Sequence, residues 1–462
     1  MKRLYSLLVF AVVASAAIAA TYSGTLPVMY INTAGGAVID SKDTYVEATA
    51  YIDNLGLEGY ESLGSAAAPL PLLIKGRGNH TWEYFDKKPY RLKFNEKQSI
   101  FGMPANRHWV LLAHADDDLC FLRDEIGFQL SRLMEMKWTP GHKPVEVVLN
   151  GDYIGLYFIA EKIRVGKNRV NIVEQPDEAT DPDVITGGWL VEIDNYWGLN
   201  QVKIWETEGH IIRFVTKTPE NRSPEQTEYL RDYVTRINNA IHTEDKSSKE
   251  WQNYIDVDTL SRFYVMNEVI DNAAAFHGSC YMHKEIGKDP KWIFGPVWDF
   301  GNTLWRDNRQ FIDVETENNV PKWIGELRKF PDFQEKFIDM WHWFYATKYP
   351  SLDSYIDSFV AKIAPAAAAD YVRWPEYGCA DPAARKNEFK RRMAEKVAFL
   401  LEQWGEGSVE SVTADSPAIT DCGVYDLMGR RVADIESDAE IAGLHLSPGI
   451  YIHAGKKIAV KK

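Results

Sequence analysis

The chain has 462 residues, of which 45% are apolar and 26% charged, with a formal net charge of −14. Its length exceeds what one small core organises and suits one large domain or two fused ones. The acidic balance speaks against a nucleic-acid partner, because binding to phosphates needs a basic footprint.

Lys2 and Arg3 precede an almost wholly apolar run over residues 4–18, and Ala17-Ile18-Ala19 has the small-x-small form of a cleavage site. Residues 1–19 therefore read as a secretory signal peptide, and the chain is expected in the periplasm, at the cell surface or outside the cell. Removing them takes two cations and no acid, so the mature net charge falls from −14 to −16. The run is short for a bilayer span, and no transmembrane segment is expected further on. Four cysteines, Cys120, Cys280, Cys379 and Cys422, permit two disulfides in an exported chain without fixing the pairing.

Residues 22–175 read as β-rich. Strands are expected at 26–31, at 90–94, where apolar and basic residues alternate, and at 109–113. A helix near 119–136 carries the stripe Leu122, Ile126, Leu130 and Leu133. Asn150-Gly151 inside an apolar stretch predicts a hairpin over 144–159. Ser223-Pro224-Glu225-Gln226 predicts a capped helix start, and a second helix is expected over 256–269. Short strands follow at 280–283 and 292–294, and Asp381-Pro382 starts a long helix ending near Trp404. A linker at 405–417 leads to a small β module within 406–462.

The order helix, loop, hairpin and then Asp299-Phe300-Gly301 is the order in which protein kinases place their catalytic loop and their magnesium-holding Asp. Upstream, Lys75-Gly76-Arg77-Gly78 and the basic face of residues 87–94 offer flexible backbone and cations, which suits a phosphate. Taken singly, each is equally a turn or a solvated edge.

Several motifs in fixed order resemble the CotH kinase family, atypical kinases related to spore coat protein H. They are Arg77-Gly78-Asn79-His80-Thr81-Trp82, Lys87-Lys88-Pro89-Tyr90-Arg91-Leu92-Lys93-Phe94, the apolar run 109–113, and Phe121-Leu122-Arg123-Asp124. The hairpin 147–157, Ala160-Glu161-Lys162-Ile163 and Gly187-Gly188-Trp189 through Asp194 complete the series. The resemblance covers roughly residues 70–305. It implies an α+β, kinase-like two-lobed domain over 20–405, with a β-rich N-terminal lobe and a helical C-terminal lobe. It also implies ATP and Mg2+ as cofactors and phosphoryl transfer to protein Ser or Thr.

Under that resemblance Arg77, Lys88, Lys93 and Glu161 are candidate cofactor contacts, with Glu161 where a hinge meets adenine. Asp299 and Asn302 are candidate metal ligands, and Asp271 with Asp299 the candidate catalytic pair. Arg123 is expected to pair with a carboxylate such as Glu161 or Asp194. The chain departs from the family loop, placing Ala274 where the family has Asp and Ser279 where it has Asn. Gly301 and Asn302 replace a second acid. His277 is a spare candidate base. A non-catalytic surface module binding protein or glycan is therefore the competing expectation, and a glycoside hydrolase a third. The particular substrate or surface ligand is not specified by the sequence. The C-terminal module resembles the sorting tails of type IX secretion in Bacteroidota.

Overall fold

The computed structural model describes residues 21–195, 204–206, 212–305, 310–312 and 323–405, and the strand residues 423–426, 431–434, 449–453 and 456–460. The signal-like segment and most of the expected linker lie outside these. The chain divides into two compact units between Gln403 and Trp404.

The first unit begins with seven strands and two helices: β1 (Val28–Thr33), β2 (Val46–Asp53), β3 (Leu70–Gly76), α1 (His80–Tyr84), β4 (Tyr90–Ile100), β5 (Met103–Leu112), α2 (Leu122–Leu133), β6 (His142–Leu149) and β7 (Asp152–Glu161). The strands close into a barrel in the order β1-β2-β3-β4-β5-β7-β6. Every neighbouring pair is antiparallel except β1 and β6, which run parallel and seal it. The turn between β6 and β7 uses Asn150 at φ 53° and Gly151 at φ 83°, the left-handed pair that a two-residue hairpin demands. Alternate residues fill the interior, among them Ile31, Ala50, Leu72, Ile74, Leu92, Phe94, Trp109 and Ile159. Period-two geometry then turns Lys75, Arg91, Lys93 and His108 outward.

The chain continues through β8 (Trp189–Ile193), β9 (Ile204–Glu206), β10 (Arg213–Thr218), α3 (Pro224–Ile241), α4 (Val257–Val269), β11 (Cys280–Lys284) and β12 (Ile293–Phe294). These five strands form a second sheet in the order β12-β11-β8-β10-β9. The predicted cap on α3 is present: Ser223 Oγ accepts from Gln226 N at 3.0 Å, and Gln226 Oε1 accepts from Ser223 N at 2.8 Å. The helices α5 (Trp323–Leu327), α6 (Pro331–Thr347), α7 (Leu352–Arg373) and α8 (Pro382–Trp404) complete the unit. Aromatic contacts join α4 to α6, with Tyr264 and Phe337 rings 5.0 Å apart. No described helix is long and apolar enough to cross a membrane.

One buried ion pair fixes α7 to the barrel. Lys87 Nζ lies 2.7 Å from Asp370 Oδ1, and both side chains are 1% exposed. Burial pushes the Lys87 ammonium down and the Asp370 carboxyl up, each opposed by the other's charge. The ammonium also lies 5.1 Å from the Phe121 ring and 5.3 Å from the Tyr157 ring. Asp370 Oδ1 accepts from Leu156 N at 2.8 Å. Gly155 permits the approach, since a Cβ there would sit 2.2 Å from Asp370 Oδ1.

The second unit contributes β13 (Gly423–Asp426), β14 (Arg431–Asp434), β15 (Gly449–His453) and β16 (Lys456–Val460), an antiparallel sheet in the order β14-β13-β15-β16.

Breaking the Lys87–Asp370 pair one side at a time leaves a naked buried charge. Lys87→Met is expected to cost about 3–5 kcal/mol in urea unfolding. The double variant Lys87→Met/Asp370→Leu is expected to recover most of that loss; equal instability of single and double variants would show that the charge is not the cause.

Candidate functional site

The outer barrel face is a wall of cations. Register places Lys75 opposite Arg91 and Lys93 opposite His108 on neighbouring strands. The alternation continues past β7, where Lys162 and Arg164 are half-buried while Ile163 and Val165 are buried. Among the described residues, no acid lies within ion-pair distance of Lys75, Arg91, Lys93, Lys162 or Arg164. Lys217, from β10, is paired with Glu192.

The crowding shows in the titration of its members. Lys162 is lowered to about 7 by burial and then by Arg91, Arg164 and Lys217, with only Glu220 opposing. His108 is lowered to about 3 by burial and by Arg164, Arg91, Lys162 and Lys93, and is neutral at any ordinary pH. Lys75 is lowered by burial and by Arg91. Arg91 Nε and His108 Nδ1 are buried with no hydrogen-bond partner. The unpaired Arg91 donor among cations without close acids describes a surface suited to an anion.

Arg77, at the end of β3, links this wall to a group of acids. Its guanidinium lies 5.7 Å from the Trp298 ring. Burial lowers its pKa, while the charges of Asp299 and Asp124 act against that. Asp299 stands in left-handed backbone, φ 64°, and is exposed. Ser279 Oγ donates to Asp299 Oδ2 at 3.1 Å. Phe300 is buried against α2, 5.6 Å from the Phe128 ring, and a Cβ on Gly127 would fall 2.4 Å from its own ring. The Phe300 N–H donates to Asp124 Oδ1 at 3.2 Å. The seat of Phe300 on α2 thus sets where Asp299 points.

Two further carboxylates stand near Asp299. A Cβ on Gly301 would lie 3.3 Å from Asp116 Oδ2 and 3.7 Å from Asp299 Oδ1, so these two acids flank Gly301. Asp124, 18% exposed, is pushed up to about 8 by burial and by Asp299. Asp116 lies in the open and is raised less, to about 6, by desolvation among its neighbours and by Asp299. Arg123 braces this loop: Nη1 is 2.6 Å from Asp118 Oδ1, and Nε donates to Thr303 O at 2.8 Å. Its partners are Asp117 and Asp118 of the adjoining loop, not Glu161 or Asp194 as expected.

The expected site residues are distributed unevenly. Arg77 and Asp299 are close enough for their charges to act on each other, Lys93 stands on the cation wall, and Asn302 is exposed beside Gly301. Lys88 is turned away, donating to Trp82 O at 2.7 Å. Glu161 points to the barrel interior side. Its Oε2 accepts from Gly141 N at 2.9 Å, and Oε1 lies 3.3 Å from Arg169 Nε. It lines a separate cavity of about 650 Å³ with Met103, Arg132, His142, Tyr355 and Phe359. Asp271 is 0% exposed, at φ 49°, and Oδ1 lies 3.2 Å from Lys396 Nζ, which is also 2.8 Å from Glu268. A carboxylate so enclosed is not presented to a substrate hydroxyl in this structure. His277 is buried as well. Among the described residues, no three His, Cys, Asp or Glu side chains converge as a ready-made metal site.

Sequence reasoning gave no role to Lys162, Arg164, Asp116, Asp124 or Trp298, although Lys162 and Asp124 stand in the family motifs. Lys162 and Arg164 had a further signal, because 162–165 repeats the basic–apolar alternation of 91–94. Asp116 had none, since the pairing of loop 114–121 with residues 299–303 is a tertiary event.

The CotH kinase protein family matches residues 74–402, most of the first unit. The chain belongs to that family. The match includes Arg77, the cation wall, the Asp116 loop and Asp299. No curated protein matches the chain.

A carboxyl with a raised folded pKa keeps its proton after the unfolded chain has lost it, so stability falls as pH rises between the two values. Asp124 therefore costs stability between about 4 and about 8. Asp299→Asn removes one cause and leaves burial. Its melting temperature is expected to fall less than wild type between pH 5 and pH 8; parallel curves would exclude the Asp124–Asp299 repulsion.

Proposed function

We propose that this chain is an exported phosphoryl-transfer protein that binds ATP with magnesium between the cation wall and Asp299, with a protein Ser or Thr hydroxyl as acceptor. The observation that carries the reading is five cations without acid partners, joined through Arg77 to an exposed Asp in an Asp-Phe-Gly turn. Transfer of a phosphoryl group asks chiefly for positioning and for neutralisation of its charge. Arg77 and Arg91 suit bidentate contact with phosphate oxygens, and Lys162 and Lys75 supply point charges.

Magnesium is usually held by one or two carboxylates, with phosphates and water completing its shell. Asp299 with Asp116 fits that pattern, and Asn302 is exposed alongside. The ion would offset charge on the phosphates. Trp298 and Tyr281, near Arg77, offer aromatic surface for the base. Asp271 is enclosed, so the acceptor proton must leave by another route, and Asp116 is the nearer candidate. Export is supported by the signal-like start, and the tail's resemblance to type IX sorting modules points to the Bacteroidota cell surface.

A second reading is favoured by Ala274 and Ser279, which stand where the family carries its catalytic Asp and Asn. Under it the same wall holds an anionic glycan or acidic protein without chemistry.

Calorimetry of ATP with magnesium, followed by a labelled-phosphate transfer assay, separates the two. Arg91→Gln/Lys162→Gln is expected to weaken ATP at least about tenfold, the loss of roughly one charged hydrogen bond or more. Asp299→Ala is expected to remove the gain in affinity due to magnesium. Failure of the wild type to bind ATP would remove the kinase reading; binding without transfer would support the second.

A further inference from the structure

Two thiols that the proposed reaction does not use lie against each other. Cys120 is 0% exposed and precedes α2; Cys379 is 6% exposed, in the turn between α7 and α8. Both are free thiols, and Cys379 is the neighbour that acts most strongly on the Cys120 thiol. Independent contacts bring them there. The ion pair of Lys87 with Asp370 holds α7, and the same ammonium covers Phe121, the residue after Cys120. Gly378, the residue before Cys379, is folded onto the next turn of α7, where a Cβ would be 2.7 Å from Tyr371 Cα. Its N–H donates to Trp374 O at 2.6 Å.

We propose that Cys120 and Cys379 are joined by a disulfide in the mature protein, an inference that rests on the export part of the proposed function. Each thiol gives up its proton and an S–S bond forms, while two electrons pass to a disulfide oxidant RSSR that leaves as two RSH. The contact with Cys379 and burial hold the Cys120 thiol in its protonated form, which is the unreactive one. Exchange therefore belongs to folding, before the site is enclosed. Cys280 is buried within β11 and keeps its thiol. The bond fastens loop 114–121, which carries Asp116, to the α7–α8 turn.

The test uses the mature full chain in two preparations: one exported by cells and purified without reductant, and one made in the cytosol and refolded with oxidised glutathione. Each is alkylated under denaturing conditions and digested for mass spectrometry. The expected result is a linked Cys120–Cys379 peptide pair in both, with Cys280 alkylated. Reduction should lower the melting temperature by about 5–10 °C in wild type and leave Cys379→Ala unmoved. Alkylation of both Cys120 and Cys379 in the glutathione preparation overturns the pairing. A linked pair there, with free thiols in the cell-derived protein, upholds the pairing and overturns export.

Discussion

The ion pair between Lys87 and Asp370 is the point on which the first unit turns. It draws one helix of the C-terminal half against the barrel, at a place where no water screens either charge. An isolated buried ion is intolerable, so the two segments are bound to each other whenever the chain is folded. The Phe121 ring, the backbone of Leu156 and the glycine at 155 all take their positions from it. Loop 114–121 lies just beyond; it carries Asp116, and α2 directly after it carries Asp124, the two acids that crowd Asp299. The geometry of the cleft is in this sense inherited from a contact that takes no part in its chemistry.

The charges around Arg77 hold electrostatic tension of both signs. The chain is acidic overall, yet five cations without a close acid stand together on one outer barrel face. Across from them, Asp116, Asp124 and Asp299 repel one another. Arg77 lies between them and feels both, the acids Asp299 and Asp124 on one side and Arg91 on the other. A ligand that brings negative charge to the wall and positive charge to the acids relieves both at once. Nucleotide with a divalent ion, the ligand proposed above, has that composition.

Local features were legible in the sequence. Asn150-Gly151 announced its hairpin, Ser223 to Gln226 its cap, and residues 90–94 their strand, because each is settled by neighbours a few positions away. The order of the family motifs singled out Arg77 and Asp299, whose charges act on each other in the fold. Closure of the barrel was not legible, because the parallel pairing of β1 with β6 joins residues far apart in the chain. The fate of Asp271 was hidden for the same reason: its enclosure depends on Lys396, on a helix more than a hundred residues later. Glu161 and Lys162 show the finest distinction. They are adjacent, and strand alternation alone sends the first inward and the second to the cation wall.

The closing strands of the barrel lie outside the stretch shared with the family. Residues 74–402 exclude β1, β2 and most of β3, so the shared stretch alone would leave β6 with one edge unpaired and β4 with one edge largely so. Such open edges invite pairing with other chains. The stretch matched by the family and the unit of folding therefore do not coincide here: the barrel of this chain is closed by N-terminal strands that precede the matched residues.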